Sequence, residues 1–303
     1  MTWFAAPTRN APREPVSCLT ARGEGILERD IHLRHGGGGI GGIGIAVLRA
    51  GLVCYALILL LFAAGFFFRE WWATDLWPYR TSYSNPTMSF AFVASILAAA
   101  SASILYCALA RDLRAMVGVG LDALVLTAPL ALMSLTSGRA SMRTFGILAA
   151  LTATAGLIAM VWFHRYAWRD PRRTPLPVRV AFVIFVLALW ATGGALVAGN
   201  LRVLPWQVSP DVARVYGFIF LGASSYFLYG LIIPRWSNAA GQLLGFLAYD
   251  LVLIVPFAIY FKHVPPERLV NHLVYTAVVV GSGVLAVYYC FIHPPTRLFG
   301  RDW

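Results

Sequence analysis

A chain of 303 residues that is 59% hydrophobic and only 12% charged, with a mean hydropathy of +0.70, lies far from soluble domains, which carry about 25% charge. This composition excludes an ordinary soluble globular protein and identifies an integral membrane protein. The excess of 24 Lys and Arg over 13 Asp and Glu sits in short connections between apolar runs, where it encodes orientation, so no nucleic-acid partner is expected.

Residues 1–44 are polar, hold five arginines and end in His35-Gly36-Gly37-Gly38-Gly39-Ile40-Gly41-Gly42. Ordering so many glycines costs more backbone entropy than the stretch can recover, and a disordered Gly/Arg-rich tail is expected. No GK[ST] follows the glycines and no strand precedes them, so they are not a phosphate loop. The first long apolar run starts near Ile45, too late and too long for a cleaved signal peptide. His32 and His35 form the only close histidine pair, within this tail, and neither a metal site nor a cofactor is expected. Cys18, Cys54, Cys107 and Cys290 are far apart, three of them inside apolar runs, and read as small buried hydrophobes.

Eight apolar runs follow, near 45–68, 88–110, 115–135, 144–163, 178–198, 213–233, 240–261 and 270–292. Each is long enough to cross about 30 Å of hydrocarbon at about 1.5 Å per residue, and too long for a barrel strand. Only helices satisfy every backbone group in lipid without closing a barrel, so an all-α protein of eight transmembrane helices is predicted. With the N-terminus inside, 16 basic residues fall on the cytoplasmic side and 8 on the other, which places both termini in the cytoplasm.

The chain also echoes itself. Leu124, Val125, Leu126, Pro129 and Ala131 recur as Leu251, Val252, Leu253, Pro256 and Ala258 at a spacing of 127, as do Gly118 and Gly245. Pro86, Leu97, Ala99, Ser101 and Arg111 recur as Pro210, Leu221, Ala223, Ser225 and Arg235 at 124, and Arg49 and Arg179 open the first helix of each half. Two tandem four-helix repeats are therefore expected, 45–170 and 171–303. Because four is even, both enter from the same side and form a parallel repeat.

The Trp-Pro outer loop, Trp77-Pro78 in the first half and Leu204-Pro205-Trp206 in the second, continues into Pro210, Ala213-Arg214 and the glycine-rich start of a helix at Gly217 and Gly222. This pattern resembles uncharacterised multi-pass bacterial membrane proteins. The resemblance implies a bacterial cytoplasmic (inner) membrane and transfers no activity.

Candidate chemistry rests on Asp122 and Asp250. A carboxylate within a membrane helix costs roughly 2.5–3.5 kcal/mol on insertion scales, so it faces a partner, a cavity or a pathway. Asp122 aligns with Tyr249 and not with Asp250, and one residue rotates a side chain by about 100°, so a symmetric two-acid site is not implied. Pro129 and Pro256 free the carbonyls of Val125 and Val252, which could line an ion path or be satisfied by neighbouring hydroxyls. The substrate or proton pathway suggested by these residues is Asp122, Asp250, Tyr249, Pro129 and Pro256. The structural alternative is an Asp capped by a Ser, Thr or Tyr of a neighbouring helix. Ala94, Ala98 and Ala102 form a small-residue row suited to helix association. The loop Trp71–Tyr79 reads as an aromatic belt at the membrane surface.

Two functions compete: a small-solute or proton-linked transporter, preferred by the intramembrane acids, and a non-catalytic scaffold or accessory subunit that packs against membrane-protein partners in the bilayer. No HExxH, GxSxG or regularly spaced acid pair is present, and no enzyme is expected.

Overall fold

The computed structural model describes residues 40–298, and among them every regular element is helical apart from an isolated antiparallel bridge between Arg173 and Arg235. Numbering the long helices in chain order gives α1 (Ile40–Phe68), α2 (Pro86–Leu109), α3 (Met116–Leu135), α4 (Ala140–Phe163), α5 (Leu176–Val197), α6 (Pro210–Ile232), α7 (Trp236–Tyr260) and α8 (Leu269–Val287). Eight helices are long and apolar enough to cross a membrane, as predicted. The expected disorder of residues 1–39, and the pair His32 and His35, lie outside the described residues. Ile40–Gly44, placed in the tail on composition, begin α1 instead.

The starts of α2 and α6 precede the apolar runs because capping, not hydropathy, sets them. The Asn85 side chain accepts from the Met88 amide at 3.1 Å, and the Ser209 side chain accepts from the Val212 amide at 3.4 Å. Each is followed by a proline, Pro86 or Pro210, at a position whose missing N–H would have no helical partner anyway. Pro129 and Pro256 lie inside α3 and α7.

Within Arg49–Trp303 the principal helix pairs are α3 with α4, α5 with α6, α2 with α7, α3 with α6, and α7 with α8. The portion of α1 from Arg49 onward is held to α2 by polar bonds: Arg49 Nε donates to the Ala108 carbonyl at 2.7 Å, and Ser101 Oγ donates to the Ala56 carbonyl at 2.8 Å. Lipid gives helices little hydrophobic reason to associate, so close contact depends on small residues and interhelical hydrogen bonds. At the α3/α4 crossing a Cβ on Gly120 would stand 2.6 Å from the Gly156 carbonyl oxygen, and one on Gly156 would stand 2.6 Å from that of Gly120. The alanine row of α2 is buried at Ala94 and Ala98, and this helix receives Gly245 of α7 against Ser103 and Ala99.

The aromatic loops fold inward more than the surface-belt reading anticipates. Trp71 is exposed, but Tyr79 is buried, and Trp77 packs edge-on against Phe66 and Phe145 with centroids 6.0 and 5.5 Å away. Trp206 is fully buried among Phe92, Tyr216, Phe257 and Tyr275. Its loop is pinned by Arg268, whose Nη1 donates to the carbonyls of Leu201, Leu204 and Trp206 at 3.2, 2.8 and 3.0 Å. A loop aromatic is thus held in the core where one guanidinium gathers three carbonyls of its connection. Cys107 and Cys290 are buried as expected, whereas Cys54 is exposed on α1.

The Gly120→Leu variant should lower stability by about 1–3 kcal/mol, the range for overpacking a filled contact. Gly51→Leu on α1, where a Cβ meets nothing within 4 Å, should leave it unchanged. Thermal unfolding of the purified variants in detergent checks both.

Candidate functional site

The seam between α7 and α8 gathers the second-half residues singled out in the sequence. Asp250 is only 4% exposed; Ser282 Oγ of α8 donates to its Oδ2 at 2.9 Å, and a Cβ on Gly283 would stand 3.4 Å from the same oxygen. The other oxygen, Oδ1, is buried without a hydrogen-bond partner among the described residues. Ser282 Oγ also stands 2.6 Å from the Val278 carbonyl and 3.2 Å from that of Val279, so one hydroxyl proton faces three acceptors.

At the preceding residue of α7, rotated by about 100° around the helix, the Tyr249 hydroxyl is hydrogen-bonded to that of Tyr275. Tyr275 stacks against Trp206 with an interplanar angle of 14°. Towards the start of α8, His272 is fully buried, with Nε2 3.1 Å from the Phe257 carbonyl and its ring stacked on Phe257 at 5.0 Å. His272, Tyr275, Val279 and Ser282 follow one another at intervals of three and four, so they share the face of α8 that meets α7. The carbonyl that His272 engages is Phe257's, one residue past Pro256, and not the Val252 carbonyl that the proline frees.

Asp122 is elsewhere. It lies on α3 against α6, where its carboxylate occupies the space left by the missing side chain of Gly222, and it is half-buried. Pro129 lies further along α3, beyond Thr127, whose hydroxyl donates to the Ala123 carbonyl at 2.6 Å. The five residues therefore fall into two places: Tyr249, Asp250 and Pro256 on the α7/α8 side, Asp122 and Pro129 on α3. Asp122 and Asp250 thus face different helices, α6 and α8.

Sequence reasoning missed His272, Tyr275 and Ser282. Their signal was present as a row of polar residues at helical spacing in an apolar run, but a serine or tyrosine is unremarkable in a membrane helix until a carboxylate is seen beside it. Among the described residues no group of three or more His, Cys, Asp or Glu could hold a metal ion. No protein-family model matches the chain, and neither curated proteins nor solved structures give a match.

The Tyr249–Tyr275 contact should behave as one unit. Tyr249→Phe and Tyr275→Phe each leave the partner hydroxyl buried and unsatisfied, at about 1–3 kcal/mol. The double variant should lose less than the sum, with a coupling of about 0.5–1.5 kcal/mol in a double-mutant cycle on unfolding.

Proposed function

We propose that this chain is a non-catalytic polytopic membrane protein, a scaffold or accessory subunit for membrane-protein partners. The observation that carries this reading is the closed environment of Asp250. A carboxylate on a transport path needs water or a substrate on one side, whereas this one is enclosed by Ser282 and Gly283 and nearly inaccessible. This environment supports the capped structural Asp that the sequence offered as the alternative to a pathway. Its location in a bacterial inner membrane with both termini cytoplasmic rests on the resemblance and on the distribution of arginines.

A tandem four-helix duplication belongs to the same proposal and is supported by the pairing of helices. Shifting each helix by four turns α2/α7 into α6/α3 and α3/α4 into α7/α8, and all four are principal contacts. The hydroxyl bond from Ser101 to Ala56 on α1 has a counterpart from Ser224 to Val186 on α5 at 3.1 Å, one residue from the Ser225 that aligns with Ser101. A bundle related by such an axis is a frame with two similar flanks, which suits a packing role as readily as transport.

A second reading, a proton-linked transporter, is favoured by one observation: the ionisable row of His272, Tyr275, Tyr249 and Asp250 along a single seam. The two readings separate at position 250. In a background lacking the native cysteines, Asp250→Cys should react with a membrane-impermeant thiol reagent in permeabilised membranes no faster than the outward-facing Leu251→Cys. Reaction as fast as that of Arg111→Cys, on an exposed turn, would transfer the preference to transport.

A further inference from the structure

One face of α4 packs and the opposite face does not. Gly156, Ala159 and Met160 meet Gly120 of α3, and Phe163 is buried. On the outward side Leu157, Ile158, Val161 and Trp162 are between 50% and 59% exposed. Leu157, Val161 and Arg165 form one row at intervals of four, and Ile158 and Trp162 form a second. Rows at this interval stand out from a helix as ridges inclined by about 26° to its axis, with a groove between them. These five residues line a groove of about 290 Å³. That is just below the roughly 300–1,000 Å³ of sites that enclose a small molecule, and one helix forms it, so it suits an extended chain lying along it.

The length and the end of the groove say what kind of chain. Eight residues separate Leu157 from Arg165, about 12 Å at about 1.5 Å per residue. One leaflet is half of a hydrocarbon core about 30 Å thick, so the groove covers most of a leaflet's depth. The membrane span closes at Phe163, with Trp162 just inside that boundary and the exposed His164 and Arg165 just outside it. Trp162 and Arg165, three residues apart, share the outward face and set an indole and a guanidinium where headgroups begin. No Asp or Glu occurs between Asp122 and Asp170, so α4 and its flanking residues up to Arg169 carry basic charge only. At this end of the bundle Asp112 is buried, and Asp170 is salt-bridged to Arg172. Arg165 offers a phosphate its fork of N–H donors, and a headgroup ammonium finds no carboxylate adjacent to it in sequence.

From this we infer that the outward face of α4 binds an anionic glycerophospholipid, one acyl chain lying between the two rows and the phosphate hydrogen-bonded by Arg165. The chain in the groove is part of the recognition, so a free phosphate ester does not hold there. The inference is independent of which reading of position 250 is right.

The test is photo-crosslinking of the full chain in phosphatidylcholine nanodiscs. These carry a small fraction of either phosphatidylglycerol or phosphatidylcholine with a diazirine in one acyl chain, and adducts are mapped by peptide mass spectrometry. Val183 and Leu187 of α5, also exposed on a membrane-spanning helix, serve as the reference face. Relative to that face, the glycerol probe should label residues 157–162 about fivefold more than the choline probe, the factor expected for one arginine at an anionic surface. Arg165→Gln should bring the two probes level, and Trp162→Ala, which removes one side of the groove, should lower labelling by the glycerol probe. Both variants change exposed side chains, so folding is not at stake in either. Excess sn-glycerol 3-phosphate should displace nothing. Equal labelling of the α4 and α5 faces by the glycerol probe would mean passing lipid only. That result, a preference that survives Arg165→Gln, or displacement by the free ester would each overturn the assignment.

Discussion

The bundle depends on backbones approaching one another where side chains are absent. Lipid is as apolar as leucine, so burying leucine between membrane helices gains little, and dispersion contacts and a few polar bonds must hold the helices together. The reciprocal contact of Gly120 and Gly156 lets α3 lie closely along α4, and Gly193 and Gly217 do the same for α5 and α6, where a Cβ on either would stand 2.8 Å from the other's carbonyl oxygen. Gly222 admits Asp122 of α3, and Gly245 admits Ser103 of α2. The helix pairs that make up the fold are thus the pairs in which one member gives way.

Close approach also explains how polar side chains are accommodated. When backbones are near, a short side chain reaches a neighbour's carbonyl directly: Ser101 to Ala56, Ser103 to Gly241, Ser224 to Val186, and the phenol of Tyr216 to Ser89. Asp250 follows the same rule with Ser282 as its neighbour. One oxygen of its carboxylate, Oδ2, accepts from that hydroxyl at 2.9 Å.

The two ends of the bundle are built differently. At one, Arg268 collects three carbonyls of the Trp206 loop and carries an indole into the core. At the other, residues 170–174 are laced to the start of α7: Ser237 Oγ accepts from the Asp170 amide, the Trp236 amide donates to the Arg172 carbonyl, and the Thr174 amide donates to the Pro234 carbonyl. Arginine bonds backbone carbonyls at both ends, Arg268 at one, and Arg169, Arg172 and Arg235 at the other, on the carbonyls of Ala110, Pro295 and Pro171. Part of the arginine content read as an orientation signal thus has a structural use.

The sequence by itself determined the number of spans, their approximate limits and the placing of Pro129 and Pro256 inside helices, because length and hydropathy must meet the thickness of a bilayer whatever the partners. It also held the two local signals that start α2 and α6, Asn85-Pro86 and Ser209-Pro210, although apolar runs alone set the starts two or three residues late. Only the tertiary structure decided which helices touch, since apolar faces in lipid carry no instruction about their neighbours. It separated Asp122 from Asp250, supplied Ser282, Tyr275 and His272 from α8, and carried Trp206 from a connecting loop into the core. Those outcomes depend on side chains of different elements meeting, where periodicity along one helix says which residues share a face but not what that face will find.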